Sequence, residues 1–269
     1  MLNSLLYFLC LGAAVLTAVG VQAETLRIGG SGVALAALRQ VGKNMTAKDP
    51  NLRVEVLPSL STPGGIRAMI AGEIDVLIAS RVLAAEERAK VDGESVCLIT
   101  ALVLATPHMV ARGITTAELP GYYADAKPMW PDGTPLKIIL RLSTSSESAA
   151  IAKVVLGFKA AYEAAQQRKG IPVAATDQDN ADLALRTADS LSFMTLLQIE
   201  SERLALKPLM LDGIAPSVET IANKTYPLDF RVCLVLMASP PPAATRLLAY
   251  VKSPEGQSLL RSFGAILSD

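Results

Sequence analysis

The segment Arg141-Leu142-Ser143-Thr144-Ser145-Ser146-Glu147 gathers the side chains of this sequence best suited to hold an anion. It follows the apolar run Leu136-Lys137-Ile138-Ile139-Leu140 and opens an Ala-rich stretch, a pattern that predicts a buried strand, a hydroxyl-rich turn and a helix start. Amide N–H groups at a helix start have no intrahelical partner and lie at the positive end of the helix dipole, so an anion can satisfy them. Arg141 adds a planar, two-pronged donor that matches phosphate, sulfate or carboxylate. The same residues also admit a reading without any ligand, because Thr144 and Glu147 stand at the Ser/Thr-x-x-Glu spacing of a capping box. Taken alone, the segment leaves both readings open.

Other chemistry has less support. His108 is the single histidine, so any Ser-His-Asp triad would have to use it, and no Gly-x-Ser-x-Gly turn accompanies it. A surface or hinge-edge position is expected for it. No Cys/His cluster offers a metal site, and the group Asp177, Asp179, Asp182 lacks the Gly and terminal Glu of a calcium loop. These three acids are expected to form a solvated helix N-cap region. Trp130, in the turn Trp130-Pro131-Asp132-Gly133, is expected to pack. Arg81 is either a ligand group or the ion-pair partner of Glu86 or Asp75. No catalytic residue, metal or cofactor is expected.

The elements that must position Arg141 begin after an uncharged stretch, Met1 to Ala23, whose apolar core ends in Val21-Gln22-Ala23. That pattern predicts a secretory signal peptide cut between Ala23 and Glu24, with an uncleaved anchor as the alternative. Cys10 follows Leu9, where a lipidation signal wants a small residue, and belongs to the apolar core of the leader. The remaining chain carries 25 basic and 25 acidic residues, and zero net charge argues against nucleic acid or an acidic membrane surface as a partner. Cys97 and Cys233 both lie in apolar, strand-like runs; they could pair if those strands are neighbours, and buried free cysteines are equally compatible.

Along the chain, Leu26-Arg27-Ile28 reads as a strand stopped by Gly29-Gly30-Ser31-Gly32, and Val33 to Thr46 as a helix. Leu52 to Leu57 alternates as a second strand. The turn Ser61-Thr62-Pro63-Gly64-Gly65 precedes a short helix with Ile66, Met69 and Ile70 on one face, and Ile74 to Ala79 is a strand buried on both sides. Long β-rich runs lie at Val96–Ala105 and Phe230–Ala238. Between them falls an independent series: Ile138–Leu140, a helix from about Ser146 to Gln167, Val173–Ala175, a helix around Ala181–Ala188, and Leu191–Met194. Helices at Thr245–Lys252 and Pro254–Ser262 close the chain after the stop at Pro240-Pro241-Pro242. This order predicts an α/β fold in which one lobe is inserted into another, with two long strands as hinges. The boundaries are 24–107 plus 229–269 for the first lobe and 108–228 for the second.

The order of short motifs resembles the phosphate-type periplasmic substrate-binding proteins of ABC transporters. The pieces are Gly30-Ser31-Gly32, Pro63-Gly64-Gly65-Ile66, Gly72-Glu73-Ile74-Asp75 leading to Ala79-Ser80-Arg81, Glu86-Glu87, Thr116-Ala117-Glu118-Leu119, Trp130-Pro131-Asp132-Gly133, and Arg141 with Ser145. Asp212-Gly213-Ile214-Ala215-Pro216-Ser217, Tyr226-Pro227-Leu228 and Ser253-Pro254-Glu255-Gly256-Gln257 complete the set, which spans the chain after the leader. The resemblance implies a two-lobe fold with a mixed, mostly parallel sheet in each lobe. It also implies capture of a small oxyanion, phosphate first, by a monomer in the periplasm, and delivery to a membrane permease. By position it implies a site of Ser31, Gly32, Ser61, Thr62, Ser80 and Arg81 from one lobe and Arg141, Ser145 and Ser146 from the other.

The departures are specific. Members commonly read Arg-x-x-x-Ser-Gly-Thr, whereas Ser146 and Glu147 stand in the last two places here. A glycine lets the backbone approach the ligand and a threonine supplies a hydroxyl. Glu147 brings a negative charge to the same place unless its side chain turns away. Ala34 replaces a frequent hydroxyl, and Arg81 stands where some phosphate-specific members have an Asp. These changes motivate a second expectation, a family member with altered or lost anion binding that serves as a sensor or scaffold.

Overall fold

A computed structural model of the protein describes residues 23–109 and 111–268. The expected leader, apart from Ala23, and Cys10 lie outside the described residues.

The chain opens with the strand Glu24–Gly30 and, after a single 3-10 turn at Gly32–Ala34, the helix Leu35–Lys48. Leu35, Leu38, Val41 and Met45 recur at helical spacing, and that stripe is the buried face. The strand is flanked in parallel by Leu52–Val56 on one side and Val76–Ala79 on the other. All four residues of Val76–Ala79 are buried, as a strand covered on both faces requires.

Two long strands carry the chain across the molecule. Ser95–Thr106 pairs antiparallel with Asp229–Val235 through Ala101, then with Ser190–Thr195 from Leu102 onward. Ser190–Thr195 in turn pairs in parallel with Lys137–Ile138. The result is a mixed, nine-stranded sheet in which the twelve-residue strand Ser95–Thr106 joins a first half built from both chain ends to a second half built from the middle. Helices Leu35–Lys48 and Pro242–Lys252 pack on the first half, and Asp177–Arg186 packs on Ser190–Thr195. Leu140–Arg141 and Val173–Ala174 form a separate parallel pair.

Several boundaries differ from the sequence reading, each for a local reason. The segment expected as one helix from Ser146 to Gln167 is two, Ser146–Val154 and Phe158–Gln166, because Gly157 takes φ +80°, which ends helical continuity. The expected turn Ser61–Gly65 is already helical: the helix runs Ser61–Ile70, with Pro63 tolerated in the first turn where its missing N–H costs nothing. Ile70 is 52% exposed and leaves the buried face to Ile66 and Met69. The helix expected from Thr245 starts at Pro242, since proline suits a first helical position.

Cys97 and Cys233 are direct register partners on the antiparallel pair and are joined by a disulfide, with Cα atoms 4.0 Å apart. His108 follows immediately after the crossing strand. Its ring stacks on Trp130 at 5.1 Å between centroids, with Nδ1 2.8 Å from Asp189 Oδ1 and Nε2 2.9 Å from Asp132 Oδ2. Trp130 is buried and donates its indole N–H to the Asp189 carbonyl, so both residues are structural. Among the described residues, no helix is long and apolar enough to cross a membrane.

Candidate binding site

The first wall of the site is set by close backbone approach. Gly30 has φ +124°, and a Cβ there would fall 2.3 Å from the carbonyl oxygen of Ile78. Only glycine lets this strand end lie so near Val76–Ala79, and the next residue, Ser31, donates its amide to that Ile78 carbonyl at 2.9 Å. Ser31 is thereby held at the end of this strand with its hydroxyl directed at the opposite wall. Thr62, in the first turn of Ser61–Ile70, accepts the Ser80 amide at 3.0 Å, and its hydroxyl lies 3.1 Å from that of Ser80. Ser61, preceding it, is held at φ +59°, an uncommon conformation for a residue with a side chain.

The second wall is built around Arg141. Its backbone is clamped at both ends by one phenol: Tyr162 Oη accepts the Arg141 amide at 2.7 Å and donates to the Arg141 carbonyl at 2.8 Å. The guanidinium is buried, and its Nη1 donates to Asp177 Oδ1 at 2.9 Å, while Nε has no partner among the described residues. Ser145, not Thr144, is the N-cap of Ser146–Val154, with its hydroxyl accepting the Ser148 amide at 3.3 Å. The capping box expected from Thr144 and Glu147 is therefore not formed. Glu147 is instead buried, only 3% exposed, and lines the cavity together with Asp177, whose charge, after burial, raises its carboxyl.

The two walls meet directly. Ser31 Oγ donates to Asp177 Oδ2 at 3.3 Å, Gln178 Nε2 donates to the Gly32 carbonyl at 3.1 Å, and the Ser80 and Ser146 hydroxyls are 3.1 Å apart. A side chain at Gly32 would collide with Asp177 and Gln178, since a Cβ would lie 2.7 Å from Asp177 Oδ2. Glycine at this position thus sets how closely the walls can approach.

Of the residues expected at the site, Ser31, Ser61, Thr62, Ser80, Arg81, Arg141, Ser145 and Ser146 line one cavity of about 310 Å³. Gly32 packs behind it, against Asp177 and Gln178. Arg81 sits at the rim, and its ion pair is with neither Glu86 nor Asp75: it holds Glu87 bidentately at 2.6 and 2.7 Å. That pairing pulls the Glu87 carboxyl down to about 2. Asp75 is taken by Arg27.

Sequence reasoning missed Asp177 and Tyr162. Asp177 was expected in a solvated cap with Asp179 and Asp182, and that expectation fails for it: Asp177 is 4% exposed and faces Arg141. Asp179 does cap the helix, exchanging hydrogen bonds with Thr176 at 3.0 Å in each direction, and Asp182 is exposed. A buried lone arginine needs a carboxylate, and that requirement was the available signal. It could not be aimed at Asp177 without knowing that Leu140–Arg141 pairs with Val173–Ala174.

Tyr162→Phe removes the donor and acceptor that clamp Arg141. The expected cost is about 1–3 kcal/mol of stability, because two buried backbone groups lose their partner, together with weaker ligand binding. Urea unfolding and calorimetry on the same preparation check both.

The arrangement defines a class: a two-walled cleft in an α/β fold, hydroxyl-lined and carrying helix N-termini and one buried arginine, suited to holding a small anion without covalent chemistry. A profile of the PBP superfamily domain matches residues 17–255, and the chain belongs to that superfamily. Among solved structures it is similar to a protein from Clostridium perfringens described as a phosphate ABC transporter substrate-binding protein with bound phosphate, at 17% identity and TM-score 0.75. The match covers 91% of this chain and 100% of that one. It is also similar to an ABC-type phosphate transport receptor from Vibrio cholerae (16% identity, TM-score 0.60, 90% of this chain and 100% of that one). A third similar structure is the periplasmic molybdate-binding protein of Azotobacter vinelandii (16% identity, TM-score 0.63, 91% and 100%). No curated protein sequence matches the chain.

Proposed function

We propose that this chain is a periplasmic substrate-binding protein that captures a small oxyanion, phosphate first, between two lobes and presents it to an ABC-transporter permease. The observation that carries the reading is Arg141: buried, with Nε unpartnered, in a cavity whose remaining lining is largely serine and threonine hydroxyls. The helices starting at Ser61, Ser146 and Asp177 bring their N-terminal amides to the same cavity. The lobes are residues 24–107 with 229–269, and 108–228, hinged on the strands Ser95–Thr106 and Asp229–Val235. Ligand binding to both walls stabilises closure, and no bond is made or broken. The protein acts as an exported monomer, released from its leader after Ala23.

One observation favours a second reading, a family member with altered or lost anion binding that works as a sensor or scaffold. Asp177 and Glu147 both act on Arg141, the buried arginine of the cavity. A thermal-shift screen against phosphate, sulfate, molybdate and small carboxylates separates the two. The transport reading expects an oxyanion to stabilise the fold by about 2.7 kcal/mol at a hundred times its Kd. No stabilisation by any oxyanion would favour the sensor or scaffold.

A further inference from the structure

We propose that the cleft takes up its anion together with a proton, carried by Glu147 against Asp177, so that this carboxyl pair sets which charge state the site accepts. The proposal rests on the oxyanion reading above and adds the chemistry of the loaded state.

The charges facing the pair can be followed element by element. Arg141, on Leu140–Arg141, is the buried cation of the cavity and donates to Asp177 at 2.9 Å. Glu147, in the first turn of Ser146–Val154 and 3% exposed, lines the same cavity as Asp177, the first residue of Asp177–Arg186 and 4% exposed. Tyr162, from Phe158–Gln166, faces Arg141 and Glu147 with a phenol that stays protonated, because burial pushes it up to about 12. Behind Asp177 stands Glu202, at the end of Leu196–Glu202, hydrogen-bonded by Gln178 and Gln198 and attracted by Arg39. At the rim, Arg81 is neutralised by Glu87.

With Glu147 and Asp177 both ionised, one positive and two negative charges give the pocket a net charge of −1 before any ligand arrives. Two carboxylates that share a small buried site cannot both ionise cheaply. An oxyanion near Arg141 adds further negative charge next to them. Protonating Glu147 removes one charge and converts a repelling carboxylate into a donor for Asp177 or for the anion. Burial first, then the Asp177 charge, already raises the Glu147 carboxyl to about 7, with Arg141 pulling the other way. An arriving anion pushes it higher still, and by linkage a group whose affinity for protons rises on binding takes up protons.

The test is calorimetric titration of phosphate and of molybdate into the protein at pH 6, 7 and 8, each in two buffers of different ionisation enthalpy. Molybdate carries no titrating proton in this range, so it separates uptake by the protein from uptake by the ligand. The wild type is expected to absorb up to about one proton per anion at pH 8, with affinity falling by up to tenfold between pH 7 and 8. Glu147→Gln, a neutral isostere, is expected to absorb no proton on binding molybdate and to bind it with the same affinity at pH 6 and 8. The proton count on the wild type stands as a test even where the variant folds poorly. Anion binding without proton uptake, with pH-independent affinity, would overturn the inference while leaving the oxyanion reading intact. Proton release on binding molybdate, which has no proton to give in this range, would also overturn it. Absence of binding by every oxyanion from pH 6 to 8 would overturn the underlying reading and the inference with it.

Discussion

Replacing Arg141 with alanine is expected to weaken oxyanion binding at least tenfold and to destabilise the protein by about 3–5 kcal/mol, the range for removing one partner of a buried ion pair. Both effects have one origin. Arg141 is 5% exposed, and its guanidinium is the cation held between Asp177, Glu147 and the cavity. Without it Asp177 is left in a buried site that it shares with Glu147, with the Ser31 hydroxyl donating to it. The bound anion loses a planar donor, which costs more than the tenfold threshold if the Nε–H is its contact, since charge-assisted hydrogen bonds contribute about 1.5–3 kcal/mol. Arg141→Lys should recover part of the stability through its charge and little of the affinity, because an ammonium lacks the fork. Urea unfolding measures the first effect and calorimetry the second. Unchanged affinity in Arg141→Ala would remove Arg141 from the site.

The second large effect is expected at the disulfide. The Cys97–Cys233 bond joins residues 136 apart in sequence, and a loop of this length gives a chain-entropy contribution of about 5 kcal/mol as an upper figure, with measured disulfides typically about 2–4 kcal/mol. The double variant Cys97→Ala/Cys233→Ala should therefore lose several kcal/mol in urea unfolding. Ligand affinity should be nearly unchanged, because the bond lies on Asp229–Val235 and Ser95–Thr106 and neither cysteine lines the cavity. A reductant should reproduce the loss in the wild type and have no effect on the variant. An equal midpoint for the two proteins under oxidising conditions would show that the bond adds nothing.

How much of this was legible in the sequence depended on the length over which each signal acts. The long strands at Ser95–Thr106 and Asp229–Val235 and the amphipathic helix Leu35–Lys48 were readable because their patterns repeat over many residues. The insertion of a middle segment between the two long strands followed from their order. The hydroxyl-bearing turns Ser31, Thr62, Ser80 and Ser145 were placed by motif order and do line one cavity. What stayed hidden was every relation carried by short or long-range contacts. The break at Gly157 depends on a single backbone angle, and the choice of Ser145 over Thr144 as the cap on a one-residue shift. The burial of Asp177 depends on pairing two strands of two residues each, which no periodicity announces. Glu147 was recognised as a conflict with an anion site, and the structure gives the conflict a form: the side chain faces inward and shares the pocket with Asp177.

Two features of the cleft belong together. The walls touch through Ser31 and Asp177, Gly32 and Gln178, and Ser80 and Ser146, so residues proposed to hold the ligand also meet each other across the cleft. A ligand that replaces the Ser31–Asp177 contact must offer oxygen acceptors to Ser31 and Arg141 at once. A tetrahedral oxyanion does so with two of its oxygens and leaves others for Thr62 and Ser145.

The most direct test of the account is a crystal structure of the protein grown with molybdate, whose metal centre gives an anomalous peak that marks the anion without ambiguity. One peak is expected in the cavity, with molybdate oxygens within hydrogen-bonding distance of Arg141 Nε, Thr62 or Ser80, and Ser145 or Ser146. A peak outside that cavity, or none at a molybdate concentration that saturates the thermal shift, would contradict it.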